Sequence, residues 1–152
     1  MRVFRLAKYI YANDLSGTGS EIAGGRWNFK GSRLLYSSES RALCMAEIAV
    51  HAPFGIIPEN YFMITIYIPQ SIKTENVLAE RLPKGWNNFP PIRATQEIGE
   101  EFIKTGKALV LKVPSAVVQG DFNYLVNPEH KDFNKIKIVQ CEKFDFDERL
   151  FT

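Results

Sequence analysis

Apolar and polar positions change rhythm several times along the chain, and each change predicts an element. Residues 3–6 read as a short first strand. Between residues 13 and 30 the apolar rhythm lapses and Gly17, Gly19, Gly24 and Gly25 interrupt it, which predicts a long polar loop of the kind that usually carries function in a small domain. Residues 33–36 predict a second short strand. Ser37 or Ser38 is then placed to cap a helix that begins near Glu39, whose carboxylate suits the first-turn dipole, and runs to about His51. YFMITIYI, residues 61–68, is aromatic and β-branched and is stopped by Pro69, so it predicts a buried strand. Pro90 and Pro91 open a second helix that continues to about Lys104, with Gly106 at its C-terminal cap. Residues 107–113 predict a third strong strand. Residues 115–128 read as a loop with one short strand near Tyr124, and the alternation in KIKIV, residues 135–139, predicts a half-exposed strand continuing toward Phe144. There is no internal repeat, low-complexity tract or Ser/Gly-rich linker, so a single domain over 1–152 is expected. Its class is α/β (α+β mixed), a central sheet with flanking helices.

The first of the two long helices carries the most chemical information. Ala42, Leu43, Met45, Ala46, Ile48, Ala49 and Val50 cover most of its circumference, which predicts a largely buried helix. Ser40, Cys44, Glu47 and His51 share the one narrow polar stripe that is left. A carboxylate on such a helix needs a partner or a cleft, because an unpaired buried charge costs several kcal/mol. Glu47 is therefore either a salt-bridged or partly exposed side chain, or a functional one. In GGRWN, residues 24–28, an arginine follows two glycines, where the backbone can approach a ligand closely. Arg26 has the planar fork that fits a phosphate or a carboxylate; the alternative is a structural arginine–carboxylate pair beside a core Trp27.

Other motifs argue against specific chemistries. Gly17 and Gly19 begin like a dinucleotide fingerprint, but Ile22 stands where the third glycine belongs and no strand precedes them. Ser115 lies in VPSAV rather than a GxSxG elbow, so a triad with His51 or His130 and Asp121 is rejected. Two histidines and two cysteines in no ligand spacing leave no metal site to expect. Cys44 and Cys141 both read as buried thiols and His130 as a locally bonded turn residue.

Composition narrows the class further. The chain has 152 residues, of which 45% are hydrophobic and 24% charged, as in ordinary globular proteins. Its 19 basic and 17 acidic side chains leave a net charge of +2, too balanced for direct non-specific binding of nucleic acid or an anionic membrane. Arg5 and Lys8 interrupt the N-terminal segment before a signal-peptide core can form, and no apolar run approaches a membrane span, so a cytoplasmic protein is expected.

VFRL, GGRWN, LLYSSES followed by ALCMAEIAVH, the LPKGW segment, ALVLKVPSAVV and NYLVNPEH, in that order, resemble the RES domain toxin family over nearly the whole chain. The resemblance implies a bacterial toxin of a type II toxin–antitoxin module, paired with an antitoxin that carries an Xre-type helix-turn-helix domain. It also implies a homodimer within a larger complex and a fold similar to diphtheria-toxin-like ADP-ribosyltransferases. The implied activity is depletion of NAD, which is the substrate, with no separate cofactor. Matched position by position, the family's arginine falls on Arg26, its tyrosine on Tyr36, its glutamate on Glu47 and its serine on Ser115, and Arg5 matches an early family arginine. In that scheme Arg26 and Arg5 would hold the pyrophosphate and Tyr36 would lie against the nicotinamide ring. Glu47 would stabilise an oxocarbenium-like transition state, and Ser115 would bond the ribose, the nicotinamide amide or Glu47 itself. Hydrolysis or phosphorolysis of NAD is the expected reaction. Transfer of ADP-ribose to a protein, and a non-catalytic module in which Arg26 pairs with Glu47, are the rivals.

Overall fold

A computed structural model describes residues 1–152 and builds the chain around one seven-stranded sheet. The strands are β1 (Arg2–Lys8), β2 (Leu35–Ser38), β3 (Tyr61–Tyr67), β4 (Thr74–Asn76), β5 (Val110–Pro114), β6 (Phe122–Val126) and β7 (Lys137–Phe144). They lie in the order β4-β5-β6-β2-β1-β3-β7. The β4–β5 pair is parallel and all others are antiparallel. Three α-helices, α1 (Thr18–Ala23), α2 (Arg41–Ala49) and α3 (Arg93–Thr105), complete a mixed α/β architecture of the class the sequence predicts. No helix is long and apolar enough to cross a membrane.

Side-chain alternation divides the strand residues between the two faces. Val3, Ala7, Leu35, Ile64, Ile66, Val110 and Val126 pack together on one side. The other side carries two separate clusters: Leu6, Cys44 and Met63 with Ile48 of α2, and Trp27, Leu34, Leu111, Val113 and Leu125 with Phe102 of α3. The cleft described below opens where these clusters part.

Several expectations need correction. The stretch 13–30 is not all loop, since α1 forms within it, entered through Gly17 at φ 75 and tied to the strand region by Ser20 Oγ, which donates to the Leu34 carbonyl at 2.7 Å. The cap of α2 is Ser40, whose Oγ accepts from Leu43 N at 3.0 Å. Ser37 and Ser38 belong instead to β2, and Glu39 lies outside the helix, accepting from Phe122 N at 3.0 Å. Only Leu43 and Cys44 of α2 are fully buried, because the helix packs on β1 and β2 through one side and leaves Arg41 and Ala42 in solvent. Cys141 is exposed, on β7, an edge strand whose single neighbour is β3. By contrast α3 follows the proline pair and ends at Gly106 in the left-handed region (φ 57), and His130 Nδ1 accepts from Asp132 N at 3.1 Å within its own turn.

Candidate active site

β1 and β2 are joined by a single residue pair, Phe4 opposite Ser38, whereas β1 and β3 pair along their whole length. The sheet therefore opens between β1 and β2. A cavity of about 330 Å³ enters there, with Arg5, Tyr36, Ser38, Glu47, His51 and Asn123 in its wall. Tyr36, Glu47, His51 and Asn123 also line a wider cleft of about 1370 Å³ that runs on past Arg26 and Phe89.

Glu47 projects from α2 into this space, and its two oxygens are treated differently. Oε1 accepts from Ser115 Oγ at 2.9 Å and from Asn123 Nδ2 at 2.7 Å, while Oε2 makes no protein hydrogen bond. Ser115, the residue after β5, is 4% exposed. Its Oγ accepts from the amides of Val117 and Val118, both at 3.0 Å, so its one proton is directed at Glu47. Ser115 thus stands behind the carboxylate and is occupied by it; of the three bonding partners the resemblance offers, the geometry selects Glu47.

Arg26 does not pair with Glu47. Its Nη1 donates to the carbonyls of Trp86 at 2.8 Å and Asn88 at 2.9 Å, which ties the turn after Gly24 and Gly25 to the segment before Pro90. Nε and Nη2 make no protein hydrogen bond. Partial burial lowers the pKa of Arg26, and the nearby Glu47 charge opposes that shift.

The turn that presents Arg26 is held from both sides. Tyr36 Oη donates to Asn28 Oδ1 at 2.6 Å and accepts from Trp27 N at 3.1 Å, so the hydroxyl is committed and only the ring is offered to the cleft. Burial pushes that phenol far above its ordinary pKa. A Cβ on Gly25 would stand 2.6 Å from Tyr36 Oη, which is why a glycine precedes Arg26. From the other side α3 grips the backbone. Thr95 Oγ1 donates to the Arg26 carbonyl at 2.7 Å, Gln96 Nε2 to the Gly25 carbonyl at 3.0 Å, and Glu100 accepts from Phe29 N at 3.1 Å. The helix comes this close because Gly99 has no side chain; a Cβ there would meet the Trp27 carbonyl oxygen at 1.5 Å.

Arg5 enters the cavity from β1, donating only to the Tyr11 carbonyl at 3.3 Å; burial lowers its pKa, and Asp14 opposes the shift. His51 and Phe89 meet at the mouth with ring centroids 5.7 Å apart. The fold thus brings Arg5, Arg26, Tyr36 and Glu47 to one cleft and sets Ser115 behind Glu47. Sequence reasoning missed Asn123. Its signal was a polar residue sharing the inward parity of Leu125 on β6, a position that ordinarily holds an apolar side chain. No three His, Cys, Asp or Glu side chains converge to hold a metal ion.

The mixed sheet thus parts over a carboxylate, with two arginines along the same opening. The chain belongs to the RES domain family, which it matches over residues 1–147. It is 34% identical over 151 residues to the Prs ADP-ribosylating toxin of Sphingobium sp. strain YBL2, covering 98% of this chain and 94% of the relative. It is 35% identical over 155 residues to Toxin Res of Pseudomonas putida, covering 99% of this chain and 100% of that one. Among solved structures, the M. tuberculosis MbcT–MbcA toxin–antitoxin complex contains a chain of the same fold (TM-score 0.74, 18% identity, 99% of this chain and 86% of that one).

Proposed function

We propose that the protein is a toxin that cleaves the bond between nicotinamide and ribose in NAD and passes ADP-ribose to water or inorganic phosphate. The observation that carries this reading is the half-occupied carboxylate of Glu47, with Oε1 held by two donors and Oε2 unbonded, in a cleft shared with two incompletely bonded guanidiniums. Departure of nicotinamide breaks the C–N bond, its electron pair neutralises the ring cation, and positive charge develops on the ribose. Glu47 stabilises that charge through Oε2. The oxygen of water or phosphate then bonds to the ribose carbon, and with water a proton is released. Arg26 offers Nε and Nη2 as a fork for the pyrophosphate, and Arg5 adds a second cation. Tyr36 contributes its ring as a wall against the cationic nicotinamide, and its hydroxyl keeps the Arg26 turn in place. NAD is the substrate and no cofactor enters the scheme.

Purified protein incubated with NAD is expected to release free nicotinamide. Glu47→Gln, folded by circular dichroism, is expected to lose about 10²–10³-fold in rate, the usual loss for one preorganised electrostatic group. A parent that releases no nicotinamide, or a Glu47→Gln variant as fast as the parent, overturns the reading. Mass spectrometry of the second product separates ADP-ribose from its phosphate ester. The name of the Sphingobium relative favours a second reading, transfer of ADP-ribose to a protein, and a mass increase on an acceptor protein in the same assay would establish it.

The partner we propose is an antitoxin with an Xre-type helix-turn-helix domain, bound to a toxin homodimer in the cytoplasm. A chain terminus offers a carboxylate to Arg26 and a backbone amide to Glu47, so the antitoxin would occupy the cleft.

A further inference from the structure

We propose that Asn123 is a positioning residue that fixes the direction of the Glu47 carboxylate, an inference that rests on the reading of Glu47 as the carboxylate facing substrate. Asn123 sits on β6, and its Nδ2 donates to Glu47 Oε1 at 2.7 Å. Its Oδ1 accepts from Ser38 Oγ on β2 at 2.7 Å. The carboxylate itself decides which end of the amide faces it, because an ionised oxygen only accepts and a flipped amide would set two acceptors against each other. Ser38 is 4% exposed, and its hydroxyl proton holds the amide oxygen on the far side. A relay therefore runs from Ser38 to Asn123 to Glu47, with Ser115 donating to the same carboxylate oxygen.

Two donors on one oxygen restrain the carboxylate as one donor would not. Rotation of the carboxylate about its last bond would break both hydrogen bonds, so Oε2 keeps one direction into the cleft. Ser115 alone would leave the carboxylate free to pivot about one contact. Asn123 crosses from β6, two strands away from β1 in the sheet, and makes the aim depend on the register of β2 and β6, in which Ser38 stands opposite Asn123.

The experiment reads the Glu47 carboxylate itself at one fixed pH, so that it does not depend on the substrate being NAD. In the full-length protein carrying carbon-13 at glutamate side-chain carboxyls, the Glu47 NMR signal is assigned by its absence in Glu47→Gln. Asn123→Ala removes one of the two donors on Oε1 and is expected to move that signal while those of glutamates outside the site stay in place. Asn123→Asp keeps the shape but replaces the donor with an acceptor; it is expected to move the signal as well, and it serves if the alanine variant does not fold. In nicotinamide release kcat should fall about 10-fold or more with KM changing little. A Glu47 signal that stays at the parent position in a folded variant overturns the proposal, whatever the activity. A parent that releases no nicotinamide while the signal moves as expected instead overturns the NAD reading and leaves the role of Asn123 standing.

Discussion

A carboxylate held through one oxygen is a directional group, and Glu47 is held in that way by Ser115 and Asn123. Ser115 keeps no lone function, because two backbone amides occupy its oxygen and Glu47 takes its proton. Tyr36 is similar, with its hydroxyl bonded on both sides and its ring left for the cleft. Away from the site, one side-chain polar atom shows how strictly the rest is satisfied: Thr65 Oγ1 on β3 is buried with no hydrogen-bond partner, where the β3–β7 register shifts between Thr65 and Ile66. Thr65→Val keeps the shape and removes the orphan hydroxyl. It is expected to stabilise the protein by about 1–2 kcal/mol, the desolvation cost of an unmade hydrogen bond, and to raise Tm by a few degrees in a thermal melt. A lower Tm would show that the hydroxyl is satisfied in solution.

Among the elements, α3 decides whether Arg26 is available. Its apolar side buries Phe102 beside Trp27, and its polar side chains Thr95, Gln96 and Glu100 bond the backbone of residues 25–29. Gly99 between them permits the contact at the Trp27 carbonyl. Gly99→Ala favours the helix by about 1 kcal/mol on propensity alone, yet the added carbon would overlap that oxygen, and overpacking of this kind costs about 1–3 kcal/mol. The expected outcome is a net loss of stability in urea unfolding, together with weaker NAD binding in calorimetric titration as the arginine turn is pushed away from the cleft. Unchanged stability and affinity would mean that the turn moves freely without cost.

For the whole molecule, the buried thiol of Cys44 makes stability depend on pH in alkali. Burial raises its pKa from the ordinary 9.0 to about 11, and the thiol lies 3.1 Å from the Phe4 carbonyl that accepts its proton. Between those values the unfolded chain has released the proton and the folded chain retains it. Stability is therefore lost as pH rises, by about 1.4 kcal/mol per unit, and the contribution is fully present below pH 9. Cys44→Ser keeps the donor and removes the titration, so its unfolding free energy measured at about pH 8 and pH 10 should fall less than that of the parent. Equal slopes would place the thiol in contact with water. Buried Tyr36 adds a slope of the same sign at higher pH, which the comparison of parent and variant cancels.

Periodic runs stood in the sequence alone. The β-branched run of β3, the helix from the proline pair to Gly106, and Glu47 among apolar neighbours on α2 are local patterns, set by side-chain shape and backbone propensity over a few residues. The candidate residues Arg5, Arg26, Tyr36, Glu47 and Ser115 were legible because they lie in a recognisable order of motifs. Their division of labour was not. That Ser115 faces Glu47 rather than the cleft, that the Tyr36 hydroxyl holds a turn, and that Asn123 shares the carboxylate all depend on contacts between residues 8 to 76 positions apart. Short elements were also lost: α1 needs Ser20 bonded across to Leu34, and the three-residue β4 exists only because β5 lies beside it. Such contacts are made by the sheet order β6-β2-β1 and by the parting of β1 from β2 after one pair, and no local pattern encodes where two strands separate.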